Sequence, residues 1–171
     1  MQRLALDELC ELVEDQLRGH LRRNDVGLGA RAVLEMLSRY PGDTWEERWL
    51  ASGCDAAPNT WVTHHGLPTA PFWSSALAAM NPLLQLRVLR PSYSWLLNTY
   101  RVINLRAFLE VNAGSDLQRL RSMPAYANNV PRYQVDSERA LARVMIRTGK
   151  QIDQLNGDDL LQYADVVKTS G

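Results

Sequence analysis

The chain has 171 residues, 46% hydrophobic and 22% charged, with 19 basic and 19 acidic side chains. That balance fits a globular protein with a working core and excludes a disordered, charge-dominated chain. Its longest apolar run, from Ala76 to Leu89, is broken by Asn81, Pro82 and Arg87 and falls short of the ~20 residues a membrane span needs, so no membrane partner is expected.

The zero net charge hides a division. Residues 1–55 hold 11 acids and 7 bases, residues 56–134 hold 2 acids and 7 bases, and residues 135–171 hold 6 acids and 5 bases. The segments therefore carry −4, +5 and −1, and the middle one is basic. Cys10 and Cys54, in a chain without a recognisable leader, are expected to be free thiols in a reducing cytoplasm.

In chain order, LALDELCELVEDQLRGHLRR predicts a first helix with Leu4, Leu9, Leu12, Val13, Leu17 and Leu21 as its apolar stripe. A second helix is predicted over about 28–40, ending at Pro41-Gly42. In DTWEERWLASG, Asp43 or Thr44 is expected to cap, with Glu47 three residues after Thr44 in a capping-box arrangement, and Trp45, Trp49 and Leu50 are expected to anchor core. The stretch from Gly53 to Pro71, with prolines at 58, 68 and 71, reads as a loop. A helix begun by Pro82 is expected to reach Arg90. SYSWLLNTYRVINLRAFLEV then predicts one continuous helix of about 20 residues. A short helix from Ser115 or Asp116 follows, then a connector over 123–134. DSERALARVMIRTG gives a helix capped by Asp136 or Ser137. The closing helix, GDDLLQYADVVKTSG, has Asn156 or Asp158 at its start, Leu160, Leu161, Ala164 and Val167 on an apolar face and Gly171 as its terminator. No strand-like alternation occurs, so the fold is expected to be an all-α, compact bundle of seven or eight helices.

Candidate chemistry is sparse. His64 and His65 lie in the Pro-rich loop after Cys54, but adjacent histidines make a poor tetrahedral set, and no metal or cofactor is expected. His20 and Arg23 form an HxxR at the end of the first helix, where cations suit the dipole. Nucleophile elbows and phosphate-cradling glycine loops are missing, so neither catalysis nor a small-molecule substrate is expected. What remains is arginine interleaved with aromatic residues: Arg87, Arg90, Arg101, Arg106, Arg119, Arg121 and Arg132 beside Tyr93, Trp95, Tyr100, Tyr126 and Tyr133. Arg139, Arg143 and Arg147 add a stripe at i, i+4 and i+8, followed by Lys150. Arginine forks match phosphate, so duplex DNA is the expected partner.

From Ala140 to Gly171 the sequence resembles the core-binding region of phage-integrase-type tyrosine recombinases. Gly149-Lys150, Leu155-Asn156 and Asp158-Asp159-Leu160 stand where that family has a G-K turn, an L-T/N step and a D/E-D/E-L helix start. WEERWLASG also resembles integrase-like proteins. The resemblance implies SAM-like helices at the C-terminal end and a non-catalytic DNA-gripping region, with a separate catalytic domain carrying the arginine, lysine, HxxR and tyrosine set. His20 and Arg23 precede the matching region and do not map onto that HxxR. Segments 1–55 (acidic helices), 56–134 (basic helices with a Pro-rich entry loop) and 135–171 (a core-binding-like helix pair) are expected to pack as one unit. The expected contacts are Arg87, Arg101, Arg106, Arg119, Arg121, Arg139, Arg143, Arg147 and Lys150, with a homo-oligomer on DNA as a further expectation. Neutralising about five phosphates gives a log–log salt slope of roughly −4 to −5. The alternative is a helical protein-interaction module with no nucleic acid, docking through its terminal helix and Trp-rich segment.

Overall fold

Helix-forming periodicity becomes ten α-helices and one 3-10 turn in the computed structural model, which describes residues 1–55, 72–100 and 103–170. No strand occurs among the described residues, and the fold is all-α. The chain divides into two packing units, Met1–Arg90 with Arg101–Ile103, and Pro91–Tyr100 with Asn104–Gly171. The compositional segments do not coincide with them. The break falls at Pro91, in the irregular stretch between the helix that ends at Gln85 and the next one, which Ser92 caps.

Unit 1 contains α1 (Leu6–Gln16), α2 (Arg23–Ser38), α3 (Trp45–Ala51) and α4 (Phe72–Gln85). Val26, Ala30, Val33, Leu34 and Leu37 form the buried stripe of α2, which packs chiefly on α4 through Leu77, Met80, Leu83 and Leu84. Leu9, Cys10 and Val13 of α1 close the other side. The Thr44–Glu47 capping box forms as predicted, and it aims Trp45 and Trp49 into the core, 1% and 0% exposed. Leu50 departs from expectation at 50% exposed, because it stands one residue beyond Trp49 and so about 100° round the helix from the buried side. The first helix is shorter than predicted: Gly19, at φ 83, turns the chain, and Leu21 is left fully exposed. In turn α2 starts at Arg23 and holds Gly27 and Gly29 inside it. Pro82 does not begin a helix; α4 runs through it, with Leu86 still donating to the Pro82 carbonyl at 2.9 Å.

Unit 2 contains α5 (Tyr93–Asn98), α6 (Leu105–Asn112), α7 (Gly114–Ser122), α8 (Pro124–Ala127), α9 (Pro131–Thr148), the 3-10 turn Ile152–Gln154 and α10 (Gly157–Ser170). The single long helix predicted from Ser92 is two. Ser92 caps α5 by accepting from Trp95 N, and Asn104 caps α6 by accepting from Ala107 N at 3.0 Å, each a side-chain oxygen satisfying an amide the helix start leaves open. The central helix α9 begins five residues earlier than Asp136, at Pro131, where proline suits the first turn. Ala142 and Met145 bury against α6, whose Leu105, Phe108 and Leu109 meet them. Gly149, at φ 70, ends α9 in the left-handed conformation, and its amide bonds Met145 O. Gly171, expected to end the last helix, lies outside the described residues.

Candidate nucleic-acid interface

Residues four apart on a helix share a face, so Arg139, Arg143 and Arg147 leave α9 on one side. That side meets α5 and α10. The Arg139 guanidinium stands over the Tyr100 ring at 5.7 Å, within cation–π range. Arg143 is only 8% exposed and donates from an Nη to the Tyr163 hydroxyl at 2.9 Å. The Tyr163 ring meets Tyr93 edge-on, with centroids 5.2 Å apart. Burial pushes the Tyr93 hydroxyl above the usual phenol range; Asp159 adds to the rise and Arg147 opposes it.

These side chains border a groove of about 580 Å3, which Arg132 and Asp136 also line. Among the described residues, three guanidinium groups therefore share it with one carboxylate, which lies 3.9 Å from Arg132. Arg143 has no carboxylate partner among the described residues, and its buried Nε lacks a hydrogen bond. A charge taken out of water in this way costs on the order of several kcal/mol unless it is paired. Nearby, the buried Tyr93 hydroxyl is also unbonded.

The other expected contacts are occupied differently. Arg106 and Arg121 both turn to Glu138, at 3.3 and 2.5 Å, and the Tyr126 hydroxyl donates to the same carboxylate. Glu138 is 1% exposed, so these three donors tie α6, α7 and α8 to α9 around one buried acid. Burial pushes the Glu138 carboxyl up, but the hydrogen bonds from Arg121 and Tyr126 and the charges of Arg106 and Arg121 outweigh it and hold the group below its ordinary value. Tyr126 is pushed up to about 12, by burial and then by Glu138. Arg119 is exposed and pairs with Asp116 at 3.2 Å, a loose surface ion pair that a phosphate can displace. Arg101, His64 and His65 lie outside the described residues.

Arg87 belongs to unit 1 and serves its backbone. It occupies the left-handed position after α4, φ 58, while its amide bonds Leu84 O and the Val88 amide bonds Leu83 O. That pair of bonds is a Schellman ending, usually given to glycine. The Gln2 amide then donates to the Arg87 and Val88 carbonyls. Burial, then the neighbouring Arg90 charge, lowers the Arg87 pKa.

Each residue of the Gly149-to-Leu160 motif that makes a polar contact has a local structural task. Lys150 Nζ reaches both Asp159 oxygens, at 2.8 and 3.1 Å, and Asn156 and Asp159 exchange side-chain and backbone hydrogen bonds as a capping box. The Lys150 hydrogen bond, followed by that from the Asn156 amide, holds the Asp159 carboxyl below its usual range. Leu160, Leu161 and Val167, expected as an apolar docking face, are 51%, 63% and 41% exposed. A second, apolar cleft of about 460 Å3 runs along α7, α9 and α10, with Leu120, Leu141, Val144 and Ile152 in its walls.

Sequence reasoning missed Glu138 and Tyr163. Glu138 stands one residue before the arginine stripe, and its neighbourhood of bases was the available signal. Tyr163 gave none, since its partner lies 20 residues away on another helix. His20, in the formal HxxR, accepts the Arg22 amide at Nδ1, a local turn contact. No group of three histidine, cysteine or acidic side chains suited to a metal ion occurs among the described residues, and none of their helices is long and apolar enough to cross a membrane. No family model, curated protein or solved structure matches the chain.

Proposed function

We propose that this chain is a non-catalytic, cytoplasmic DNA-binding region of an integrase-like recombinase, gripping duplex DNA by its phosphates during site-specific integration, with strand cleavage left to a separate catalytic domain. The observation that supports it is the groove of unit 2, where, among the described residues, Arg132, Arg139 and Arg143 gather with Tyr100, Tyr163 and one acid, Asp136. Guanidinium forks and phenol hydroxyls are the groups that hold a phosphate backbone without reading its sequence. The sequence resemblance at the G-K turn and the acidic helix start, which lie between α9 and α10, is the second support.

With Arg106, Arg121 and Lys150 paired inside the fold, fewer cations remain for phosphate than the sequence suggests. About three neutralised phosphates give a log–log salt slope between about −2 and −3. Titrating labelled duplex with protein across a salt series measures it. A slope near zero, or unchanged affinity in the Arg139→Gln/Arg143→Gln double variant, rules the proposal out. A second reading, a helical protein-interaction module, is favoured by the exposed Leu160, Leu161 and Val167 of α10. It predicts binding to a protein partner that survives high salt and fails in Leu161→Asp.

A further inference from the structure

The groove beside α9 contains more than surface charge. Arg143 is more than nine-tenths buried, makes one side-chain hydrogen bond, and leaves its Nε without an acceptor. Its one partner is a neutral hydroxyl. Because Tyr163 uses an oxygen lone pair to accept from Arg143, its own proton is not consumed by that bond and has no acceptor among the described residues. Arg139 borders the same space, held over Tyr100. Buried guanidinium groups in folded proteins meet a carboxylate or a bound anion. Among the described residues Asp136 is the only carboxylate lining this groove; it is exposed and stands 3.9 Å from Arg132.

We infer that this groove is a specific oxyanion site in which a phosphate group is held between the Arg143 fork, the Arg139 charge and the Tyr163 hydroxyl. Two features give it specificity. A guanidinium fork is planar and can present parallel donors to two oxygens of one phosphate, which a point charge cannot do. Tyr163 comes from α10, whereas both arginines come from α9, so the bound anion bridges the two helices. On α10, Leu160, Leu161 and Val167 are about half exposed, and the Arg143–Tyr163 and Lys150–Asp159 bonds are polar ties between this helix and α9 and its following turn. A ligand that takes a hydrogen bond from Tyr163 is linked to the docking of the whole helix, and binding strengthens that docking by mass action.

That the phosphate belongs to duplex DNA rests on the function proposed above; that the pocket receives an oxyanion does not. The test uses the full chain and inorganic phosphate, titrated against chloride at constant ionic strength. It is followed by amide hydrogen exchange over residues 157–170 and by the Tyr163 side-chain NMR signals. The expected result is saturable binding at low-millimolar phosphate with slower exchange along α10. Tyr163→Phe, which keeps the ring against Tyr93, and Arg143→Lys, which keeps the charge but loses the fork, should each weaken binding by about tenfold. Arg119→Gln should change it by less than about twofold. Phosphate that acts no differently from chloride, or that binds both variants as it binds the parent, overturns the site. A short duplex forms the second arm. Duplex affinity that drops in Arg143→Lys alongside phosphate affinity supports a backbone phosphate as the occupant. Phosphate binding without duplex binding supports the pocket and removes the DNA reading.

Discussion

Unit 1 is held by hydrocarbon and indole, whereas the central helix of unit 2 carries a carboxylate and a guanidinium into its packed faces. In unit 1, Trp45, Trp49, Leu34 and Leu37 fill the interior, and polar groups work mainly at helix ends and joints: the Thr44 capping box, the Gln2 bridge and the Arg87 turn. In unit 2, Glu138 and Arg143 lie five residues apart on α9 and face different neighbours. One has three donors and the other a single neutral partner. The difference teaches how to tell structural charge from functional charge. A buried ion whose bonds are filled specifies a fold, while one left short of partners points to something that binds.

Substitutions can break that contrast or sharpen it. The largest effect should come from unit 1, where Trp49→Ala removes a side chain with no exposed surface and costs about 3–5 kcal/mol in denaturant unfolding. Next, Glu138→Ala leaves Arg106, Arg121 and Tyr126 facing an empty acceptor position and should cost about 3 kcal/mol. Its pH dependence has a definite sign. The folded-state pKa of Glu138 is depressed, so its contribution is complete above the unfolded value of about 4.3 and is lost as pH falls through the folded value. A stability–pH profile in Glu138→Gln should lack that acid limb.

Arg143→Met should cost less. An apolar side chain of similar length removes a buried charge that lacks a carboxylate but also the bond to Tyr163, so stability is expected to change by less than about 1 kcal/mol while phosphate binding is abolished. A loss as large as that of Glu138→Ala would place Arg143 with Glu138 as a structural charge. The smallest effect is expected from Arg87→Gly, which relieves left-handed strain but adds freedom to the unfolded chain, for a net gain of about 0.5 kcal/mol by thermal melting.

Local chemistry was the legible part of this fold. Thr44 with Glu47, Ser92 before Trp95 and Gly149 after Thr148 announce helix ends, because caps depend on residues a few positions apart. The division between α5 and α6 was hidden, since Ile103, Leu105 and Phe108 continue the apolar spacing across it and only the Asn104 cap marks the restart. The candidate site was legible as a stripe and illegible as a pocket. Arg139, Arg143 and Arg147 are visible at four-residue intervals, but the direction they face depends on where α5 and α10 settle. The basic run at 87–132 misled for a related reason: Arg106 and Arg121 find their acid at Glu138, beyond the segment over which charge was counted.

Gln2 joins distant parts of unit 1, donating to the Arg87 and Val88 carbonyls and accepting from the Glu46 amide. Its partner at Val88 is 86 residues away, so that clasp stays open during synthesis until the end of α4 has left the ribosome.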